Sequence, residues 1–196
     1  MKKVLMPLII FAIIGFGIFK WGVGVNNEII EQEGLALAQW ANVESSYQRR
    51  ADLIPNIVAT VKGYAAHEKE TLEGVIKARS EATKTTINAG DLTPEKMAAF
   101  QKAQSGLSGA LQKLMVVVER YPDLKADQGF LKSQDQLEGT ENRINTERNR
   151  FNGLAGAYNI FIAKFPTNLV ANYINKSGMS LFKSAEGSDV APVVEY

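Results

Sequence analysis

Residues 97–121 read MAAFQKAQSGLSGALQKLMVVVERY, and their spacing decides the fold. Met97, Phe100, Gln104, Leu107, Leu111, Leu114, Val118 and Tyr121 recur at intervals that alternate between three and four. Such a stripe is the seam of a helix packed, coiled-coil fashion, against other helices, with Gln104 its one polar member. Thr93 stands where a helix N-cap belongs, and Pro94 suits the first turn.

The same period extends in both directions. Downstream, Tyr121-Pro122-Asp123 reads as a turn. A helix is then expected from Lys125 to Lys164, with Phe130, Gln134, Leu137, Glu141, Ile144, Arg148, Phe151, Ala155, Tyr158, Ile162 and Phe165 as its stripe. Upstream, one helix is expected over Asn26–Ile54, carrying Trp40, Val43, Tyr47 and Ile54. Another is expected over Asn56–Asn88, carrying Val58, Val61, Ala65, Leu72, Val75 and Ile76. Pro55 separates them, since a proline fits the start of a helix and breaks its interior. Short links make neighbours antiparallel, so the reading is all-α, an elongated up-down-up-down four-helix bundle. After Phe165-Pro166-Thr167-Asn168, a short helix near Leu169–Ile174 precedes a Gly- and Ser-containing tail. In that tail Met179, Leu181 and Phe182 read as spare apolar surface, and Val190–Tyr196 alone shows strand-like alternation.

The N-terminus is of another kind. Val4–Phe19 carries no charge, and after Lys20 the apolar stretch continues to Val25, 22 residues in all. A bilayer core of about 30 Å needs roughly 20 helical residues, so the segment is long enough to span, with Lys20 snorkelling and Trp21 as an interfacial anchor. A cleaved signal peptide is the competing reading of Met1-Lys2-Lys3 plus an apolar run. The bulky apolar stretch and the lack of an Ala-x-Ala-like site favour an uncleaved anchor. Lys2 and Lys3 precede the span, whereas Glu28, Glu31 and Glu33 follow it, which places the rest of the chain on the exoplasmic side. The expected division is therefore an anchor over 1–25, a bundle over 26–165 and a short helix with tail over 166–196.

Composition narrows function by exclusion. The 196-residue chain has one histidine and no cysteine, which removes zinc fingers, iron–sulfur clusters, thiol nucleophiles and disulfide frameworks. Of its 22 basic residues three lie in the anchor, leaving 19 against 21 acidic ones beyond it, a net charge of −2. No general attraction to nucleic acid follows. His67 and Glu70 sit one turn apart, but a bundle metal site needs further histidines and carboxylates, so no metal is expected. No nucleophile elbow or phosphate-binding glycine loop is present either, and neither a catalytic site nor a cofactor is expected. Ser108, read as mid-helix, has only a backbone bond or solvent to engage.

The run Tyr47-Gln48-Arg49-Arg50-Ala51-Asp52-Leu53-Ile54-Pro55-Asn56-Ile57-Val58, continuing through Val61-Lys62-Gly63-Tyr64-Ala65-Ala66-His67-Glu68, closely resembles the LemA family. So do Tyr121-Pro122-Asp123-Leu124-Lys125-Ala126, Leu137-Glu138-Gly139-Thr140-Glu141-Asn142-Arg143-Ile144, Phe165-Pro166-Thr167-Asn168 and Pro192-Val193-Val194-Glu195-Tyr196. Departures are mild: Phe151-Asn152 stands where the family often has Tyr-Asn, and the segment after Tyr173 is Gly/Ser-rich. The resemblance implies a bacterial protein with one N-terminal membrane helix, a helical bundle and no established biochemical activity.

Polar residues at seam positions remain the candidate site: Gln104, Gln134, Glu141 and Arg148, with Arg50 on the first bundle helix. Folding the chain back at Pro122 would set Gln104 opposite Arg148, Leu107 opposite Ile144 and Leu111 near Glu141. Inward charges persist only when paired, so these residues are expected to form a buried register-fixing network. Gly15 and Gly22, and likewise Gly17 and Gly24, are seven residues apart, and small residues are expected to line one side of the span for close helix approach. The functional expectation is a non-enzymatic, membrane-anchored interaction or assembly module of the bacterial envelope. It would sit in the inner membrane, homo-oligomeric and with an envelope protein as a further partner. The alternative is a small-ligand sensor or enzyme that uses the layer around Gln104, Glu141 and Arg148.

Overall fold

The computed structural model describes residues 2–88 and 90–183. Six helices follow one another: α1 (Lys2–Tyr64), α2 (Lys69–Lys84), α3 (Pro94–Val118), α4 (Pro122–Lys125), α5 (Gln128–Ala163) and α6 (Thr167–Tyr173). No strand occurs among the described residues, and Val190–Tyr196 lies outside them. The C-terminal part of α1 with α2, α3 and α5 makes the expected four-helix bundle. Antiparallel order is visible in the facing pairs Trp40–Phe151 and Arg50–Glu141 between α1 and α5.

The first correction concerns Pro55. It does not separate two helices, because α1 runs unbroken through it for 63 residues, about 95 Å at 1.5 Å per residue. A proline inside a helix leaves the carbonyl four residues earlier without its donor. Here that carbonyl is Ala51, itself buried, and Arg79 of α2 donates Nε–H to it at 2.7 Å. Tertiary structure thus supplies the bond that the proline removes. Arg79→Met should cost about 1–3 kcal/mol by orphaning a buried acceptor. In a Pro55→Ala background the restored N–H at position 55 takes that carbonyl, and the same change should cost much less. Equal losses in the two backgrounds, measured by urea unfolding, would show that the two residues are not coupled.

The chain turns instead at Ala65–Glu68, a position that the sequence reading placed inside a helix. Glu68 gathers this distal end by accepting from Arg120 at 2.9 Å and from the Tyr121 hydroxyl at 3.1 Å. The Tyr64 hydroxyl donates to Asp127 at 3.0 Å. Asp127 also caps α5, accepting from the Phe130 N–H at 2.7 Å, so α5 starts three residues after Lys125, and the expected turn at Tyr121-Pro122-Asp123 holds the short α4 instead. Thr93 caps α3 as expected, accepting from the Lys96 N–H at 3.4 Å.

Two large apolar clusters fill the bundle, and a smaller third one joins Ile29, Tyr158, Ile162 and Ala171 at the end nearest the span. The distal one joins Ile54, Ile57, Val61, Leu72, Val75, Leu107, Leu111 and Leu114. The second, nearer the N-terminal span, is aromatic: Trp40 is enclosed by Phe100, Phe151 and Phe182, with ring centroids 5.3–5.7 Å apart. Phe182 is the second correction, because the tail is not spare surface. Its ring is 6% exposed and stacks on Trp40. Residues 175–183 run back along α5, held by two asparagines that each donate to and accept from one backbone position. Asn152 does so with Phe182 (2.9 Å both ways) and Asn159 with Met179 (2.8 and 2.7 Å). Asn175, at φ 56°, lets the chain leave α6, with the Lys176 N–H reaching back to the Ala171 carbonyl at 2.9 Å.

Candidate functional site

Arg50 sits at the centre of the bundle with only 2% of its side chain exposed. Helices α3 and α5 bring it partners. From α5, Glu141 accepts from Nη1 at 2.7 Å, and from α3 the Ser108 hydroxyl accepts from the same nitrogen at 2.9 Å. The Gln104 side-chain oxygen accepts from Nη2 at 2.6 Å. Gln104 then donates to the Ala82 carbonyl of α2 at 3.2 Å. One hydrogen-bonded chain therefore joins α1, α2, α3 and α5 at one level, which fixes their register. The Tyr47 ring lies under the guanidinium, 5.2 Å from its centroid, and burial pushes the phenol pKa up. Arg50 Nε alone has no protein partner.

Not all five expected residues meet. Arg50, Gln104 and Glu141 do. Gln134 is exposed, away from the layer. Arg148 is half-buried and pairs with neither Glu141 nor Gln104. It lies over the Phe182 ring at 4.6 Å and donates to the Lys183 carbonyl at 3.3 Å. The expected pairing of α3 with α5 fails for the same reason: α5 lies chiefly along α1, and α3 along α2. Ser108, read as idle, is a member of the network.

A buried carboxylate escaped the reading altogether. Glu147 accepts from Gln39 Nε2 at 2.7 Å, with Arg150 at 3.4 Å and Arg143 at 3.9 Å beside it. The Gln39 hydrogen bond, with those two guanidinium groups, holds its carboxyl below the ordinary value of 4.5 against the opposing effect of burial. A folded-state pKa below the unfolded one adds stability at higher pH that is lost as pH falls through the folded value. Acid unfolding should therefore steepen below about pH 4.5, and Gln39→Leu should flatten that dependence. An unchanged stability–pH slope in the variant would contradict the assignment.

Beside the Arg50 layer, α3 and α5 flank an open polar cleft of about 270 Å³, bordered by Gln101, Ser105, Asn145, Arg148 and Lys183. Glu141 reaches its wall with 37% of its side chain exposed. Among the described residues no group of three or more His, Asp or Glu is placed to hold a metal ion. His67 lies exposed in the turn between α1 and α2, off any helix face.

At the other end, α1 contains a segment long and apolar enough to cross a membrane, with none of that window buried in the fold. The glycines do not line one side of it. At 100° per residue, Gly15 and Gly22 share one face while Gly17 and Gly24 share nearly the opposite one. Gly22 lines a groove beside α6, and Gly17 and Gly24 do not.

The chain is similar in sequence to known proteins. The chain is 27% identical over 180 residues to Protein LemA of Metamycoplasma hominis, an alignment covering 91% of this chain and 78% of that protein. It is 28% identical over 176 residues to the magnetosome protein MamQ of Magnetospirillum gryphiswaldense, covering 81% and 64%. It is 29% identical over 153 residues to the magnetosome protein MamQ 2 of Paramagnetospirillum magneticum, covering 68% and 56%. The alignments thus span less than two thirds of the length of these magnetosome relatives. The sequence profile of the LemA family matches residues 39–196, from the aromatic core of α1 to the last residue, and the chain belongs to the LemA family.

Proposed function

We propose that this protein is a single-pass, non-enzymatic module of the bacterial inner membrane that works by association, with itself and with an envelope protein, and carries its bundle on the exoplasmic side. The carrying observation is the continuity of α1. One helix supplies both the apolar N-terminal segment and the wall of the bundle on which α5 packs, with no hinge between them. Force or proximity imposed on the span therefore reaches the Arg50 layer through a single rigid element. The Gly17/Gly24 face supports self-association, since it lies away from α6 and small residues let helices approach closely in lipid. The test is crosslinking in native membranes from the exposed Lys102, followed by mass spectrometry. A second copy or one reproducible envelope protein is the expected product, and only intramolecular links would contradict it. Orientation is tested by a cysteine introduced at the exposed Ser105. An impermeant maleimide should label it once the outer barrier is opened, and labelling only after lysis would reverse the topology.

The open polar cleft supports a second reading, a small-ligand sensor. A layer closed to solvent would favour a purely structural network, but here the part-exposed Glu141 borders about 270 Å³ of open cleft. A thermal-shift screen of small anions and polar metabolites tests it. A hit abolished by Ser105→Trp supports the sensor, and no stabilisation at millimolar concentrations contradicts it.

A further inference from the structure

Helix α6 is too short to stand alone, and its position is fixed from two sides. Ala171 is buried with Ile29, Tyr158 and Ile162, and Val170 and Ile174 pack on the same cluster. Lys176, just beyond the helix, pairs with Glu33 of α1 at 2.5 Å. This docking sets α6 beside a defined level of α1. Val4–Phe19 rises about 24 Å and Val4–Val25 about 33 Å, so the edge of a 30 Å hydrocarbon core crosses α1 between Lys20 and Val25. At that same level a groove of about 480 Å³ separates the two helices, with Ile18, Phe19 and Gly22 on one wall and Leu169 and Tyr173 on the other.

The groove is almost wholly apolar, and one of its walls is the span itself. The wall formed by α6 is itself largely uncovered, with Leu169 57% and Tyr173 86% exposed, and the apolar surface continues beyond the groove to Phe165, 79% exposed, on the end of the bundle that faces the bilayer. Such residues in water would form an uncovered apolar patch. At the headgroup level their covering is already present, and a tyrosine suits that boundary because its ring is apolar and its hydroxyl wet.

We propose that this groove holds the upper acyl segment of a bilayer lipid, and that α6 with Phe165 forms a foot that seats the bundle on the membrane surface. The protein then meets the bilayer twice, by a span and by an interfacial patch, which fixes the tilt of the bundle relative to the membrane plane. The inference rests on the spanning reading of α1, and the experiment separates the two.

The chain has no native cysteine, so single nitroxide labels at exposed positions are clean probes. Full-length Ile14→Cys, Leu169→Cys, Tyr173→Cys and Ser105→Cys proteins are labelled, reconstituted into phosphatidylcholine/phosphatidylglycerol vesicles, and compared for collision with oxygen, which partitions into lipid, and with a water-soluble nickel chelate. The expected result is an oxygen-to-nickel ratio several-fold higher at Ile14, Leu169 and Tyr173 than at Ser105. Ratios at Leu169 and Tyr173 equal to that at Ser105, with Ile14 in hydrocarbon, would overturn the foot and leave the span standing. A nickel-dominated Ile14 would overturn both. Protection from both reagents at Leu169 and Tyr173, with spin–spin broadening that disappears on dilution with unlabelled chain, would assign the groove to a second copy and overturn the lipid.

Discussion

Trp40→Ala should be the most damaging single truncation in the protein, lowering stability by about 3–5 kcal/mol. The indole is fully buried and touches three aromatic rings from three parts of the chain: Phe100 of α3, Phe151 of α5 and Phe182 of the tail. Its Nε1–H points to the Ile87 carbonyl at 3.4 Å, tying in the α2–α3 connection. No one of these neighbours can move in to fill the space without releasing another, so most of the cavity term should persist. The tail should respond first. Phe182 loses its stacking partner, and amide exchange at Met179 and Phe182, whose N–H groups are held by Asn159 and Asn152, should accelerate beyond the global loss. Urea unfolding in detergent with far-ultraviolet circular dichroism, joined to hydrogen exchange, checks both parts. A loss below about 1 kcal/mol, or exchange that accelerates uniformly, would mean that the aromatic cluster does not join tail to bundle.

The Arg50 layer carries the second large effect. Glu141→Leu removes the one anionic partner of a guanidinium that is almost wholly enclosed. Breaking a buried ion pair costs about 3–5 kcal/mol, and solvent access to Glu141 puts this case near about 3 kcal/mol. Arg50→Met with Glu141→Leu removes both charges and should recover most of the loss, because the remaining Gln104 keeps its bond to Ala82. The double-mutant cycle should give more than about 1 kcal/mol of interaction. A double variant as unstable as the sum of the singles would show that the two charges are not coupled. Arg148→Leu, by contrast, should loosen only the Phe182–Lys183 segment over which it lies.

The contrast between those two arginines shows where the sequence was legible. On α3 one stripe explains every buried residue but Val117, from Met97 through Gln104 to Val118, because only one set of apolar residues has the right spacing. On α5 two stripes fit equally well. Leu137, Ile144 and Phe151 belong to both, and the intervening positions are either Gln134, Glu141 and Arg148 or Thr140 and Glu147. All of these are polar, so hydropathy could not choose between them. The fold buries Thr140 and Glu147, leaving Glu141 and Arg148 on the flank of the stripe and Gln134 in solvent. The signal available was Gln39 on α1, one residue before Trp40 and thus near the α5 level of Phe151. Pro55 was misread because local rules describe what a proline removes from its own helix. They do not register an arginine 24 residues later that replaces it. The tail was misread in the same way. Gly and Ser near Phe182 look like a loose end, and the two asparagines that pin it lie 20 and 30 residues away on α5.

Association through the span is the claim on which the functional account rests, and the mass of the intact protein in lipid measures it directly. Full-length protein in nanodiscs large enough for several copies should give a protein mass that is a whole multiple, two or greater, of 21.5 kDa. Gly17→Ile should reduce it to a single copy, while Val23→Ile, on the side facing α6, should not. A mass of one chain for the unaltered protein, in nanodiscs and in mild detergent alike, would contradict the account.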